Sequence, residues 1–410
     1  MPKVSPRAVI MGGSIGGLTA ALVLRDNGWD VDVFERSSAL LESRGAGIIS
    51  HPITLRYATE FAGYGLDDLS IKPVWCRYVN DSGKVVSERP CHFRVNSYGT
   101  LYRTLLQAFG MQRLHLGRSI VRFREEGSQV EVFLSDNDIK TADLLVCADG
   151  INSTARKLMA PDASPEYAGY VAWRGTAGKE NLGEETFEAL QEAITYHLMA
   201  DGHLLAYPIL ARDRLTGKSK RLINWLWYVN VPEGDALDDL LTDRGGVLRD
   251  ASLAYQTLQE KHVARLRQNA RKTLPPLFAE LVLSTREPFI QAVFDGVIPT
   301  MAFGRVGIMG DAAFAARPHC GAGTAKAAED AWQLSNALAQ ANNNVSVALQ
   351  HWQERQLQCG AQLVARAREI GHQLQFENTW PVGQGFPFGL YEPGDSAFEP
   401  SNAALEQSAY

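Results

Sequence analysis

The stretch AVIMGGSIGGLTAALVLRDNGWDVDVFER, residues 8–36, constrains this chain more than any other. An apolar run, a glycine-dense turn, a stretch of helical period and a second apolar run predict strand, turn, helix and strand, a βαβ unit that needs a parallel neighbour. In a dinucleotide-binding turn the first glycine permits the bend, the second lets the backbone approach a pyrophosphate, and the third allows the helix to pack closely. Those places are Gly12, Ser14 and Gly17 here. Ser14 departs from the glycine rule, although Gly13 and Gly16 keep the turn permissive and a serine hydroxyl can itself donate to phosphate. The helix predicted from Ile15 points its positive end at that phosphate. Glu35, followed by Arg36, ends the second strand where a carboxylate accepts hydrogen bonds from ribose hydroxyls. The plain alternative is a βαβ crossover that binds nothing.

Two further segments lie far downstream. In LLVCADG, Asp149 and Gly150 end an apolar run, and Ser153 with Arg156 opens a helix; a strand followed by an N-capping serine is the bland reading. In RVGIMGD, Gly310 and Asp311 end a buried strand, and PHCGAGT then feeds a long helix. A loop carrying Pro318, Gly321, Ala322, Gly323 and Thr324 at a helix N-terminus stabilises negative charge, such as a reduced flavin carries near N1 and its C2 carbonyl. Together the three segments predict one flavin nucleotide site, because the bland readings would have to hold independently three times.

With 410 residues, 45% of them hydrophobic and 21% charged, the chain has material for two or three structural units. Forty basic against 46 acidic residues give a net charge of −6, and the one basic run, residues 212–220, reads as a solvated hairpin connection. Nucleic acid is therefore not an expected partner. No run approaches the ~20 apolar residues of a membrane span, and none has the form of a signal peptide, so a cytoplasmic protein with no membrane partner is expected. Cys76, Cys91, Cys147, Cys320 and Cys359 lack metal-ligand or disulfide spacing, which predicts free thiols and no metal.

Periodicity predicts helices near 53–61 and 99–109 and antiparallel strands over 119–147. The aromatic and β-branched stretch 167–232 predicts a sheet that walls a pocket. Helical period returns over 237–283, a strand is expected at 288–295, and long helices at 323–342 and 345–373. The tail from residue 377, rich in Pro, Gly and Asn, should be irregular. The expected fold class is α/β: a Rossmann-type flavin-nucleotide domain (1–75, 100–165 and 288–375) interleaved with a mainly antiparallel β-sheet substrate domain (76–99 and 166–287), plus C-terminal helices and an irregular tail (376–410).

Over nearly its whole length the chain resembles the FAD-dependent aromatic hydroxylases, single-component monooxygenases of the para-hydroxybenzoate and salicylate hydroxylase type. The resemblance implies that Gly12, Gly17 and Glu35, with Ser14, Ile15 and Arg36 beside them, hold the ADP part of FAD. It implies that Asp149 and Gly150 serve FAD and NAD(P)H, and that Gly310 and Asp311 hold the ribityl chain. Within the family, GYVAWRGT (169–176), DGHLLAYPI (201–209), RPH (317–319) and AKAAEDA (325–331) are most similar to the branch that hydroxylates 2,6-dihydroxypyridine at carbon 3. Some positions depart from the family pattern. Ala325 stands where an asparagine is frequent, Phe314 where a histidine is, and Tyr102 where a helix arginine usually reaches FAD; a shift of one residue would make that arginine Arg103.

The chemistry implied is reduction of FAD by NADH or NADPH, addition of dioxygen at flavin C4a, and attack of an electron-rich hydroxypyridine or phenol on the resulting hydroperoxide. A small aromatic substrate and dioxygen are thus the partners, no second nucleotide domain distinguishes NADH from NADPH, and a homodimer is usual in similar enzymes. A ring hydroxyl becomes nucleophilic on losing its proton, so an acceptor tuned near neutrality is expected. His319, in the loop expected over the flavin, is the first candidate, with His203, Tyr207 and His51 behind it; for each, structural packing is the plain alternative. Trp173 and Arg174 read as pocket walls. Other readings are a 6-hydroxynicotinate or decarboxylating salicylate-type hydroxylase, or a flavin oxidase of a non-aromatic substrate. The Trp-x-Trp-x-Ile-Pro signature of flavin halogenases is broken in WLWYVNVP (225–232), and a flavin protein without catalysis would not need so aromatic a chamber.

Overall fold

In the computed structural model, which describes residues 5–43, 47–212 and 219–398, the apolar run at the start of the chain is a central strand with Ala8, Val9 and Ile10 wholly buried. β1 (Arg7–Met11), α1 (Ile15–Asp26) and β2 (Asp30–Glu35) form the expected unit, the two strands parallel with Val9 opposite Asp32. β3 (Gly47–Ser50) and α2 (Tyr98–Phe109) follow, then β4 (Leu144–Cys147), parallel to β1, which leads into α3 (Thr154–Met159). Next come the long strands β5 (Glu166–Gly178), β6 (Gly202–Arg212), β7 (Ser219–Asn230) and β8 (Phe289–Val297). The chain then returns through β9 (Val306–Ile308), beside β4, to the helices α4 (Gly323–Gln340) and α5 (Val345–His372).

The first sheet runs Ala302–Phe303, β9, β4, β1, β2, Leu114–Leu116 and is parallel except at its Ala302 edge. Such strands must be covered on both faces. α1 and α4 pack against one another over one face, and the meander Ile120–Glu126, Gln129–Leu134, Ile139–Ala142 contributes Val130, Val132 and Leu134 to the same core. The antiparallel expectation for 119–147 thus holds only as far as Ala142. LLVC is apolar at every position instead of alternating, so it lies inside the parallel sheet with all four residues buried.

The second sheet is ordered Ser252–Leu253, β8, β5, β7, β6, Ala193–Met199, Trp75–Val79, Val85–Pro90, and is antiparallel apart from the Ala193–Met199/Trp75–Val79 pair. Because β8 hydrogen-bonds to β5, with Ile290 opposite Trp173, the crossing back to the parallel sheet comes after Val297 and not at residue 288. Side chains alternate between the two faces of the strands. Trp173, Leu204, Ala206, Trp225, Trp227 and Ile290 join one core, covered by the helices Asp235–Leu241, Glu260–Thr273 and Pro276–Leu283. Tyr170, Leu205, Tyr207, Leu226 and Tyr228 face the other way, toward the parallel sheet.

Residues 378–398 carry no regular element but are tied down. Phe386, Phe388 and Leu390 are buried, the Gly389 amide donates to the Cys320 carbonyl at 3.0 Å, and the Arg366 guanidinium grips the carbonyls of Gly389, Leu390 and Tyr391. Residues 213–218 of the predicted hairpin connection lie outside the described residues. No helix among the described residues is long and apolar enough to cross a membrane, and no cluster of His, Cys, Asp and Glu among them would hold a metal ion.

Candidate active site

A cleft of about 1400 Å3, including its open mouth, lies where the C-terminal ends of β1, β4 and β9 meet the inner face of the antiparallel sheet. Strand C-termini are where open α/β sheets place their ligands. At one end the wall is Ser14, Ile15 and Gly16, the N-terminus of α1. Gly12 makes the bend at φ +106°, and a Cβ there would strike the Ala148 carbonyl; one on Gly17 would strike the Gly12 carbonyl. Ser14 Oγ shares a 2.7 Å hydrogen bond with the Tyr98 hydroxyl, which reaches the cleft from α2.

The middle of the cleft is formed by Ala148, Gly150, Met309, Gly310 and Asp311. Gly150 has φ +78° and open space where a Cβ would stand. Asp311 is exposed into the cleft, yet the protein packed around it raises its carboxyl above the ordinary value, with Arg156 opposing. Arg156 also joins the two aspartate motifs, donating to the Ala312 carbonyl at 3.0 Å and to the Ile151 carbonyl. Beneath Gly310, the Asp330 carboxylate accepts the Gly310 amide at 2.9 Å and pairs with Lys326; both side chains are buried. Pro318 and the run Gly321–Thr324 then carry the wall into the start of α4. This elongated trough, with a helix N-terminus, a carboxylate on its floor and glycines where a Cβ would intrude, fits a dinucleotide such as FAD.

The far end is a mostly apolar and aromatic chamber. Gly47, Ile48 and Ile49 of β3, Leu205 and Tyr207 of β6, Leu226 and Tyr228 of β7, and Phe388 of the tail supply its walls, and Arg174 and Gln291 its polar groups. Packing there is tight, since a Cβ on Gly47 would stand 2.5 Å from the Tyr207 ring. Burial pushes the Tyr207 phenol up to about 12 and the Tyr228 phenol still higher, while nearby Arg174 opposes both.

Of the predicted cofactor residues, Ser14, Ile15, Gly150, Gly310, Asp311, Pro318, Gly321, Ala322, Gly323 and Thr324 line the cleft. Gly12 and Gly17 shape the turn from behind. Glu35 is also behind it, its two carboxylate oxygens accepting the amides of Gly13 at 2.9 Å and Ser37 at 2.8 Å. Arg36 is exposed outside the cleft. Ser153 N-caps α3, its Oγ accepting the Arg156 amide at 2.9 Å and donating to Asp149 at 2.6 Å, while Asp149 also accepts the Thr154 amide at 2.6 Å, so the bland reading of that motif describes its local bonding. Tyr102 is buried one helical turn beyond the cleft, stacked at 6.0 Å on Tyr98, and Arg103 pairs with Glu42. The helix was identified, but its cleft-facing residue is Tyr98.

Among the candidate bases only Tyr207 reaches the cleft. His51 Nε2 donates to the Gly321 carbonyl at 3.0 Å, and desolvation holds the ring near 4. His203 lies flat on Tyr228, accepts from Gln375 at 2.6 Å and is held near 3 by burial. His319 shares a 2.7 Å hydrogen bond with Tyr170 and is lowered far below its ordinary value, again by burial. The expectation of an imidazole tuned near neutrality is corrected accordingly: these rings are packed inside the protein, where the charged form is too costly. Tyr98, Tyr228, Gln291 and Phe388 went unnamed in the sequence. Strand alternation would have placed Tyr228 on the face of Tyr207 had the β6–β7 register, His203 opposite Tyr228, been known.

Residues 167–295 match the family model described as FAD binding domain-like. The chain is 36% identical over 392 residues to 2,6-dihydroxypyridine 3-monooxygenase of Paenarthrobacter nicotinovorans, covering 95% of this chain and 97% of that one. The solved structure of 2,6-dihydroxypyridine-3-hydroxylase from Arthrobacter nicotinovorans superposes with a TM-score of 0.90 at 35% identity, over 97% of this chain and 99% of that one. A 6-hydroxynicotinate 3-monooxygenase of Pseudomonas fluorescens is 24% identical over 92% of both chains. Klebsiella pneumoniae HpxO, solved with FAD and uric acid, shares the fold at a TM-score of 0.75 and 22% identity, over 91% of this chain and 90% of that one. A nucleotide-sized trough opening into an aromatic chamber, on a chain similar end to end to such an enzyme, places this protein in the family of FAD-dependent aromatic-ring monooxygenases.

Proposed function

We propose that this chain hydroxylates 2,6-dihydroxypyridine at carbon 3, using NAD(P)H and dioxygen. The observation that carries the reading is the 36% identity across 95% of the chain to a relative named for that reaction, and the aromatic lining of the chamber agrees with it. Bound FAD, once reduced, supplies the activation of dioxygen. The α1 N-terminus with Ser14 and Tyr98 receives the diphosphate, and Asp311 accepts from ribityl hydroxyls. The Gly321–Thr324 amides stabilise negative charge at the flavin ring. Tyr207, Tyr228, Leu226 and Phe388 orient the substrate and exclude water. The nucleotide part takes residues 1–75, 100–165 and the chain after Val297; the substrate part takes 76–99 and 166–297. A cytoplasmic homodimer completes the reading.

Anaerobic reduction of the purified holoenzyme by NADH and by NADPH tests this, with 2,6-dihydroxypyridine, 6-hydroxynicotinate and salicylate each added in turn. Acceleration by 2,6-dihydroxypyridine, then a trihydroxypyridine on admitting oxygen, is the expected result. Acceleration by another ring alone moves the substrate, and acceleration by none removes the proposal.

A further inference from the structure

Among the described residues that line the cleft, Arg174 is the only cation, and it has no carboxylate partner among them. Nη1 donates to Gln291 Oε1 at 2.8 Å and Nη2 to the Gly47 carbonyl at 2.9 Å, both neutral acceptors. Nε is buried with no hydrogen-bond partner, and the guanidinium carbon stands 5.7 Å from the centre of the Phe289 ring. β6 and β7 face it with Tyr207 and Tyr228, both phenols, β8 with Gln291 and Phe289, and β3 with a carbonyl. Asp311, the one carboxylate in the lining among the described residues, belongs to the nucleotide part of the trough. A guanidinium left uncompensated between aromatic walls is costly, and an anion brought beside it offsets that cost.

We propose that Arg174 is an anion subsite which takes the ring substrate already ionised at a ring oxygen, so that no protein base removes that proton. The proton is left to bulk water before binding, and the negative charge on the ring oxygen enriches the adjacent carbon that is hydroxylated. This rests on the hydroxylase reading and narrows its substrate class. Suitable rings are heteroaromatic enols, whose anion spreads over a ring nitrogen and a second oxygen and so forms below neutrality. Simple phenols, ionising well above neutrality, are poor ligands at pH 7. The alternative source of negative charge for Arg174 is the reduced flavin itself.

Flavin absorbance changes in the holoenzyme report binding of 2,6-dihydroxypyridine and of 1,3-dihydroxybenzene, the same ring with carbon in place of nitrogen, from pH 5 to 9. From pH 5 to 9 the 2,6-dihydroxypyridine affinity should stay nearly level, because that ring is ionised across the range, whereas the 1,3-dihydroxybenzene affinity should rise about tenfold per pH unit, because that ring is still mostly neutral. A break at one shared pH would instead mean that a protein group takes the proton, and would overturn the proposal. Arg174→Gln should weaken 2,6-dihydroxypyridine binding by roughly 30-fold or more, with partial recovery in Arg174→Lys, and leave the ligand-free flavin midpoint potential unchanged. A lowered potential with unchanged ligand affinity would assign the guanidinium to the reduced flavin and overturn the subsite. Should Arg174→Gln fail to retain FAD, the two wild-type profiles decide. If the dihydroxypyridine binds as its anion yet does not speed flavin reduction, the substrate assignment fails while the subsite stands.

Discussion

His51, His203 and His319 illustrate at the residue scale what burial does to a titratable ring. With His51 held near 4 and His203 near 3, both are neutral in the folded protein at pH 7, whereas the unfolded chain titrates near 6.5. Below about pH 6.5 the unfolded state binds protons that the folded state refuses. The stability these rings contribute is therefore complete above 6.5 and is lost as the pH falls toward 4. For His51 alone this is on the order of 3 kcal/mol between pH 7 and 4. Thermal melts from pH 7.5 to 5 should show a steep fall in Tm, and His51→Gln should flatten it; parallel curves would mean that His51 is charged in the folded protein. Asp311 tests the cofactor end. Asp311→Asn replaces an acceptor on the cleft floor by a neutral amide and should raise the Kd for FAD by about 10- to 100-fold, as expected for a hydrogen bond to a charged group. Fluorescence titration of the apoprotein measures it, and an unchanged Kd removes Asp311 from cofactor binding.

At the scale of the element, the glycine turn was legible because its reason is steric and local. A Cβ at Gly17 collides with the carbonyl of Gly12, backbone that no side-chain rotation can move aside. Gly17→Ala should accordingly push α1 off β1 and lower Tm by several degrees, read by calorimetry, even before FAD affinity is measured. What lies across the cleft was not legible, because it depends on register. Tyr98 and Tyr102 are one turn apart on α2, and a shift of four residues decides which hydroxyl meets Ser14. The same limit explains the histidines. His203 stands on the cleft-facing side of β6, but Gln375, distant in sequence, covers it. The Lys326–Asp330 pair belongs to this scale as well, since it joins two turns of α4 to the Gly310 amide. Lys326→Met leaves a buried carboxylate unpaired and should cost about 3–5 kcal/mol, whereas the Lys326→Met/Asp330→Asn double variant should recover part of the loss. Additive losses in denaturant unfolding would show that the pair is not coupled.

In the whole molecule the parallel and antiparallel sheets exchange chain several times, so each wall of the cleft comes from segments far apart in sequence. Their type was readable from alternation and apolar runs. Their meeting was not, because nothing local in ArgGlyThrAla or TyrProIle encodes that β5 and β6 face the ends of β4 and β9. Phe388 is the sharpest case, an aromatic wall from a stretch that reads as plain irregular tail. Phe388→Ala should leave FAD content intact, weaken ring binding and make the bound flavin easier for iodide to quench; an unchanged quenching constant would show that the tail does not shield the chamber.

The tail also sets an order of events. Phe388 follows every strand and helix of the two sheets in the chain, so as the polypeptide leaves the ribosome the nucleotide trough is complete before the ring chamber has its last wall. A chain that ended after the last helical turn at Glu377 would lack Phe388 and the three carbonyls that Arg366 captures, and with them one aromatic wall of the chamber.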